Sequence, residues 1–162
     1  MFDRYSEAAG QVIFLARFEA GRVGSKVIDT EHLLLGLVLV DPETIAMIAS
    51  PISEEKVRAR SELWHAQAEA LPTSMDLPLS DDAKRALEAA DSLSLTHGCD
   101  YVRTEHLLLA LFNGGPTHAA RILEEANVSA DALTKLVTSV PPAGQQPAVV
   151  FPFDGIWLPP ES

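Results

Sequence analysis

The segment Thr30-Glu31-His32-Leu33-Leu34-Leu35-Gly36-Leu37 returns 74 residues later as Thr104-Glu105-His106-Leu107-Leu108-Leu109-Ala110-Leu111. Carried back without a gap, the same shift pairs Ser6 with Ser80, Ala9 with Ala83, Ala16 with Ala90 and Gly24 with Gly98. Carried forward, it pairs Pro42 with Pro116, Ala46 with Ala120 and Ile48 with Ile122, and a two-residue adjustment sets Ser53 against Ser129. Chance does not hold so many identities in register. The chain is a tandem duplication, and its fold must be assembled from two copies of one unit.

Each unit reads as four helices. Ser6 and Ser80 are N-cap candidates followed by acidic residues, which suit the positive end of a helix dipole. Behind them Ala9, Val12, Ile13, Ala16 and Ala20, and in the second unit Ala83, Ala86, Leu87, Ala90 and Leu93, fall on one helical face. Gly24 and Gly98 sit where a C-terminal stop belongs. Thr30 and Thr104 are expected to cap second helices. Third helices are expected after Pro42 and Pro116, and fourth helices from Ser53 and Ser129. No stretch alternates with period two, so strands are not expected.

The second helices, Leu33–Val40 and Leu107–Phe112, are apolar nearly all round, and a helix of that kind belongs at the centre. Neither unit of about 65 residues can bury one alone, so both halves should share one core. The expected fold class is therefore all-α: two tandem pseudo-symmetric four-helix repeats, eight helices forming one domain at 1–140. Repeat one covers 1–71, a linker 72–78, and repeat two 79–140. From 141 to 162 the composition changes, with six of the eleven prolines and no basic residue. This Pro-rich segment reads as an extended tail. It also carries Phe151, Phe153 and Trp157, which would anchor it on an apolar surface, its own or that of another chain.

Composition narrows the function. Twelve basic against 23 acidic residues give a formal charge of −11, which disfavours nucleic-acid binding. No apolar run is long enough to cross a membrane, and the N-terminus has no signal-peptide pattern. Cys99 is the single cysteine, which fits a reducing, cytoplasmic setting.

The doubled Thr-Glu-His-Leu-Leu-Leu motif, each copy following a Gly-ended helix, resembles the Clp repeat domain, the N-terminal substrate-receiving domain of the Clp/Hsp100 unfoldases. The opening Met1-Phe2-Asp3-Arg4-Tyr5-Ser6 is most similar to the ClpC branch. The resemblance covers roughly residues 1–140. It implies a non-catalytic module binding proteins or peptides: Clp substrates, adaptors, or cyclic peptides. The sequence contains no Gly-x-x-x-x-Gly-Lys-[Ser/Thr] phosphate loop, so the expectation is a receiving domain standing apart from its motor, an adaptor, decoy or sequestering factor near a Clp unfoldase.

The resemblance also implies sites. Glu31 and Glu105 would grip the guanidinium of phosphoarginine, with Ser6 and Ser80 holding its phosphate at helix N-termini, where anions are favoured. The basic residue usual two positions after that Ser/Thr is replaced by Ala8 and Asp82, so the phosphate is weakly held at the first position and repelled at the second. A regulator groove would be bordered by Phe2, Phe14, Arg17, Leu79, Lys84 and Glu88. Phe18 joins it by helical phase: Phe14 and Phe18 lie off the apolar stripe, where the duplicate has Glu88 and Ser92.

The other class considered is a small enzyme or sensor with Glu31/His32 and Glu105/His106 in a cleft. No nucleophile elbow is present, Cys99 has no evident base, and the histidines show no zinc spacing. The expectation is no enzyme, no metal and no cofactor, with dimerisation or self-docking through the tail left open.

Overall fold

The computed structural model describes residues 4–48, 54–65, 69–72 and 76–139. Among these residues eight helices follow one another: α1 Glu7–Arg22, α2 Thr30–Val40, α3 Pro42–Ile48, α4 Glu54–Trp64, α5 Asp81–Thr96, α6 Thr104–Phe112, α7 His118–Glu125 and α8 Ala130–Thr138. No strand occurs among the described residues, only two isolated bridges. The domain is all-α.

Local chemistry sets the helix ends. The Ser6 hydroxyl accepts from the Ala9 N–H at 3.2 Å and the Ser80 hydroxyl from Ala83 at 3.0 Å. Gly24 and Gly98 take the left-handed conformation after α1 and α5, at φ 78° and 70°, which only glycine adopts without cost. The expected caps of the second helices need correcting. Asp29 and Arg103 hold the N-cap positions, and Thr30 and Thr104 are already inside the helices. His32 and His106 complete these caps, their Nδ1 atoms accepting from the Asp29 and Arg103 N–H groups at 3.0 and 2.9 Å. Histidine thus fills the role Glu or Gln has in the usual capping box. The threonine hydroxyls tie helices together instead. Thr30 Oγ1 accepts from the Ala119 N–H at 3.1 Å, and Thr104 Oγ1 donates to Asp41 Oδ2 at 2.8 Å. Helix α7 starts two residues past Pro116, because the Thr117 hydroxyl caps it by accepting from Ala120. Ser129 caps α8 as expected, while Ser53 lies outside the described residues.

The two repeats are crossed. Tyr5, before α1, bridges Val102, before α6; Leu79, before α5, bridges Ile28, before α2. Each short extended segment of one repeat therefore pairs with the other repeat. The bonds correspond residue for residue under the 74 shift: Ser6 N–H to Val102 O and Ser80 N–H to Ile28 O, both 2.9 Å. Helix α2 lies at the centre, against α1, α3, α4, α5, α6 and α7. Every residue from Thr30 to Val38 is buried, and one apolar core runs through both repeats.

Helix α4 is mostly polar, burying only Val57 and Ser61. A buried carboxylate holds it: Glu19 of α1, 2% exposed, accepts from Arg58 of α4 at 2.7 Å and from Arg22 at 3.1 Å. A buried charge survives only when paired in this way.

The α1–α2 contact is close enough to exclude a methyl group at Gly36. A Cβ there would lie 2.6 Å from the Val12 carbonyl oxygen and 3.2 Å from Val12 Cγ1. In the second repeat the same pair is Ala86 and Ala110, a redistribution of volume across an equivalent contact. Gly36→Ala should therefore destabilise the protein by about 1–3 kcal/mol. The loss is read from urea-unfolding midpoints.

Candidate functional site

The crossing brings helix N-termini of opposite repeats together. Ser80, at the start of α5, meets Asp29 and the start of α2; Ser6, at the start of α1, lies beside Val102 and the start of α6. Of the four residues the sequence put forward for phosphate and guanidinium, Ser80 is thus grouped with Glu31, and Ser6 with Glu105. The two clusters share a backbone plan and differ in chemistry. Under the 74 shift Asp29 corresponds to Arg103, and Thr44 to His118.

The first cluster is acidic, and its glutamate is shut off from solvent. Asp29 Oδ1 accepts from the Thr30 N–H at 2.7 Å and from the Ser80 hydroxyl at 2.9 Å, leaving Oδ2 pointing towards His118 Nδ1 at 3.8 Å. Glu31 is fully buried, and its Oε2 is in hydrogen-bond contact with His118 Nδ1. Its other oxygen, Oε1, is buried with no hydrogen-bond partner among the described residues. Burial above all, and then the Asp29 charge, raise the Glu31 carboxyl to about 7 against the opposing effect of His118. The His118 ring lies flat on Trp64 of α4, centroids 3.9 Å apart and planes at 13°. His65, the residue after Trp64, stacks on His32 at 5.5 Å. His118 therefore stands where a ligand's cation would approach Glu31, and the Ser80 hydroxyl is already spent on a carboxylate.

The second cluster is more open and mixed in charge. The Glu105 side chain is 15% exposed and lies 3.7 Å from the Arg103 guanidinium. Arg103 follows Val102, whose carbonyl accepts the Ser6 N–H. A cation thus stands near the N-terminus of α1, contributed by the opposite repeat. Ala8 deprives this helix start of a local basic residue, and Arg103 supplies one through the tertiary fold. Sequence reasoning missed Arg103, as it missed Asp29, His65 and His118; the signal available was that each departs from its repeat partner.

His32 and His106 do not face a cleft. Both rings are fully buried with Nδ1 engaged in capping, and burial lowers them to about 3 and about 4. Neither can relay a proton at neutral pH. Burial likewise raises the Cys99 thiol, against the behaviour of a nucleophile.

The groove residues are distributed as follows. Phe18 on α1 is 48% exposed, and Phe14 and Arg17 are half-buried on the same helix. Lys84 and Glu88 are exposed on α5, and Leu79 is half-buried at its bridge to Ile28. Arg4 crosses to the far part of α5, in contact with Asp91 and donating to the Ser94 hydroxyl and the Cys99 carbonyl, both at 3.0 Å. Phe2 and the tail residues Phe151, Phe153 and Trp157 lie outside the described residues. A further surface depression of about 550 Å3 lies between α5 and the end of α6, lined by Arg85, Ala89, Leu93 and Asn113 among others.

The buried His106 yields a pH prediction. Its pKa is depressed from 6.5 to about 4 in the fold, so its contribution to stability is present above pH 6.5 and lost as pH falls through about 4. His106→Gln keeps a capping acceptor and removes the titration. Between pH 7 and 4.5 the variant should lose about 2–3 kcal/mol less stability than the parent, measured by urea unfolding at both values.

Comparison with known proteins agrees with this architecture. Residues 4–126 and 78–146 match the family described as the Clp repeat (R) N-terminal domain. The chain is 34% identical over 164 residues to the chaperone protein ClpD, chloroplastic, of Arabidopsis thaliana, covering 91% of this chain and 17% of that protein. It is 35% identical over 132 residues to the chaperone protein ClpC, chloroplastic, of Pisum sativum, covering 81% and 14%. The chain thus spans only 14–17% of the length of these relatives. The crystal structure of the N-terminal domain of the caseinolytic protease associated chaperone ClpD from Arabidopsis thaliana superposes with a TM-score of 0.70 at 31% identity, over 86% of this chain and 95% of that one. The Hsp104 N-terminal domain from Candida albicans shares the fold, with a TM-score of 0.58 at 19% identity over 82% and 88% of the two chains.

Proposed function

Because the chain belongs to the Clp repeat N-terminal domain family, we propose that it is a non-catalytic module that binds proteins and peptides, of the kind that receives substrates and adaptors for Clp unfoldases. The observation that carries this reading is the aromatic pair Phe14 and Phe18 on the outer side of α1. An exposed phenylalanine at a position where the duplicated helix has Ser92 has no packing purpose, and it suits a partner surface. The groove proposed is bordered by Phe14, Arg17, Phe18, Leu79, Lys84 and Glu88. The finer role is that of an accessory factor, competing with the receiving domain of an unfoldase for ligands or sequestering peptides from it. No helix among the described residues is long and apolar enough to cross a membrane, and the single cysteine supports a reducing, cytoplasmic setting.

Fluorescently labelled unfolded casein serves as the probe. Phe18→Ser, which installs the residue found in the second repeat, should weaken binding about tenfold, the loss of one aromatic anchor worth about 1.4 kcal/mol. The melting temperature should stay unchanged. Unchanged affinity would remove the groove from α1.

A second reading concerns phosphoarginine. The Ser6 cluster, with Glu105 for the guanidinium and Arg103 near the phosphate end, suits this ligand better than the Ser80 cluster, where Asp29, Glu31, Asp81 and Asp82 repel an anion. Calorimetric titration with free phosphoarginine should show one site. Glu105→Ala should abolish the heat and Glu31→Ala should leave it. Loss on Glu31→Ala alone would reverse the assignment.

A further inference from the structure

The Glu31 cluster is more than a blocked copy of the other pocket. Three side chains with metal-ligating atoms converge there: Asp29 ahead of α2, Glu31 within it and His118 at the start of α7, while His65, just past α4, is grouped with Glu31 and His32 instead. One ligating atom each of Asp29, Glu31 and His118 lies within 4.8 Å of the other two, and a His65 nitrogen lies equally close to the Glu31 carboxylate. The His118 Nδ1 to Asp29 Oδ2 separation of 3.8 Å is near the ligand spacing of a tetrahedral zinc site, about 3.4 Å for bonds of about 2.0–2.2 Å. An imidazole beside two carboxylates suits zinc better than the harder magnesium or calcium.

Two polar atoms beside this group are buried without partners. Glu31, with no exposed surface, has Oε1 buried without a donor; His65 Nε2 is also buried and unpartnered among the described residues. Glu31 Oε1 faces His32 Nδ1 at 3.5 Å, and that nitrogen is itself an acceptor, of the Asp29 N–H. The same bond removes His32 from the ligand set: with Nδ1 accepting, the neutral ring carries its proton on Nε2 and has no lone pair to offer.

The supporting shell is in place as well. Ser80 and the Thr30 N–H hold Asp29 Oδ1 and so orient Oδ2, and the Trp64 indole fixes the plane of His118. His118 is 36% exposed and Asp29 24%, which leaves a path for an ion. The second repeat provides an internal contrast. Its cluster has Arg103 and Thr44 where this one has Asp29 and His118, so two of the three ligands have no counterpart there.

We propose that Asp29, Glu31 and His118 form a zinc site, its fourth position left to water, that ties α2 to α7 across the two repeats. This inference is independent of the binding function proposed above. The whole chain, freed of metal by dialysis against a chelator, is titrated with zinc chloride in competition with a chromophoric indicator. Its melting temperature is measured with and without the ion, and cobalt(II) serves as a visible-absorption probe of coordination. One zinc per chain is expected, with a raised melting temperature and a tetrahedral cobalt spectrum. Asp29→Asn and His118→Ala, both at partly exposed positions, should each weaken binding at least tenfold, with helicity checked by circular dichroism. His97→Ala should change nothing. Absence of stoichiometric binding would overturn the proposal and leave the cluster as a hydrogen-bonded contact between His118 and Glu31. Binding unaffected by both ligand substitutions would overturn it equally.

Discussion

Four backbone hydrogen bonds organise this molecule. They run between Ser6 and Val102, Val102 and Arg4, Ser80 and Ile28, and Ile28 and Pro78. Each joins the extended residues ahead of a first helix in one repeat to those ahead of a second helix in the other. The crossing gives the two very apolar helices, α2 and α6, neighbours from both repeats, so neither has to face water. It also accounts for the interdependence of the units: removing one would expose the central helix of the other and leave its strand-like segment without a partner.

The same crossing builds the two side-chain clusters. A helix N-terminus presents unpaired N–H groups and a partial positive charge, and here two such ends from different repeats are brought side by side, twice. Duplication made the two places alike; substitution then separated them. In one, Arg103 and Glu105 give a mixed, partly open pocket. In the other, Asp29, Glu31 and His118 give an acidic one whose glutamate is shut off from solvent. One backbone plan thus carries two chemistries, and binding at one does not imply binding at the other.

Much of the fold was legible in the sequence because its determinants are local. Ser6, Ser80, Gly24 and Gly98 act within a few residues of themselves, and the stripe of alanines behind each serine follows the helical period. The threonine caps were misread for a related reason. Asp29 and Arg103 differ between the repeats, so the eye rests on the identical Thr30 and Thr104, whose hydroxyls in fact reach Ala119 and Asp41. The buried Glu19, gripped by Arg58 and Arg22, was equally invisible, since its partners come from another helix as well as its own.

The sequence by itself determined the duplication, the all-helical class, the helix starts at Ser6 and Ser80, and the central place of the Leu-rich helices, because periodicity and caps operate over one or two turns. Only the tertiary structure decided which repeat supplies which wall of each pocket. It brings His118 to Glu31 across 87 residues and Ser80 to Asp29 across 51. It also turned His32 and His106 from candidate acid–base groups into buried caps. The physical reason is that charge and coordination depend on distance in space, and the crossing of the two repeats sets those distances.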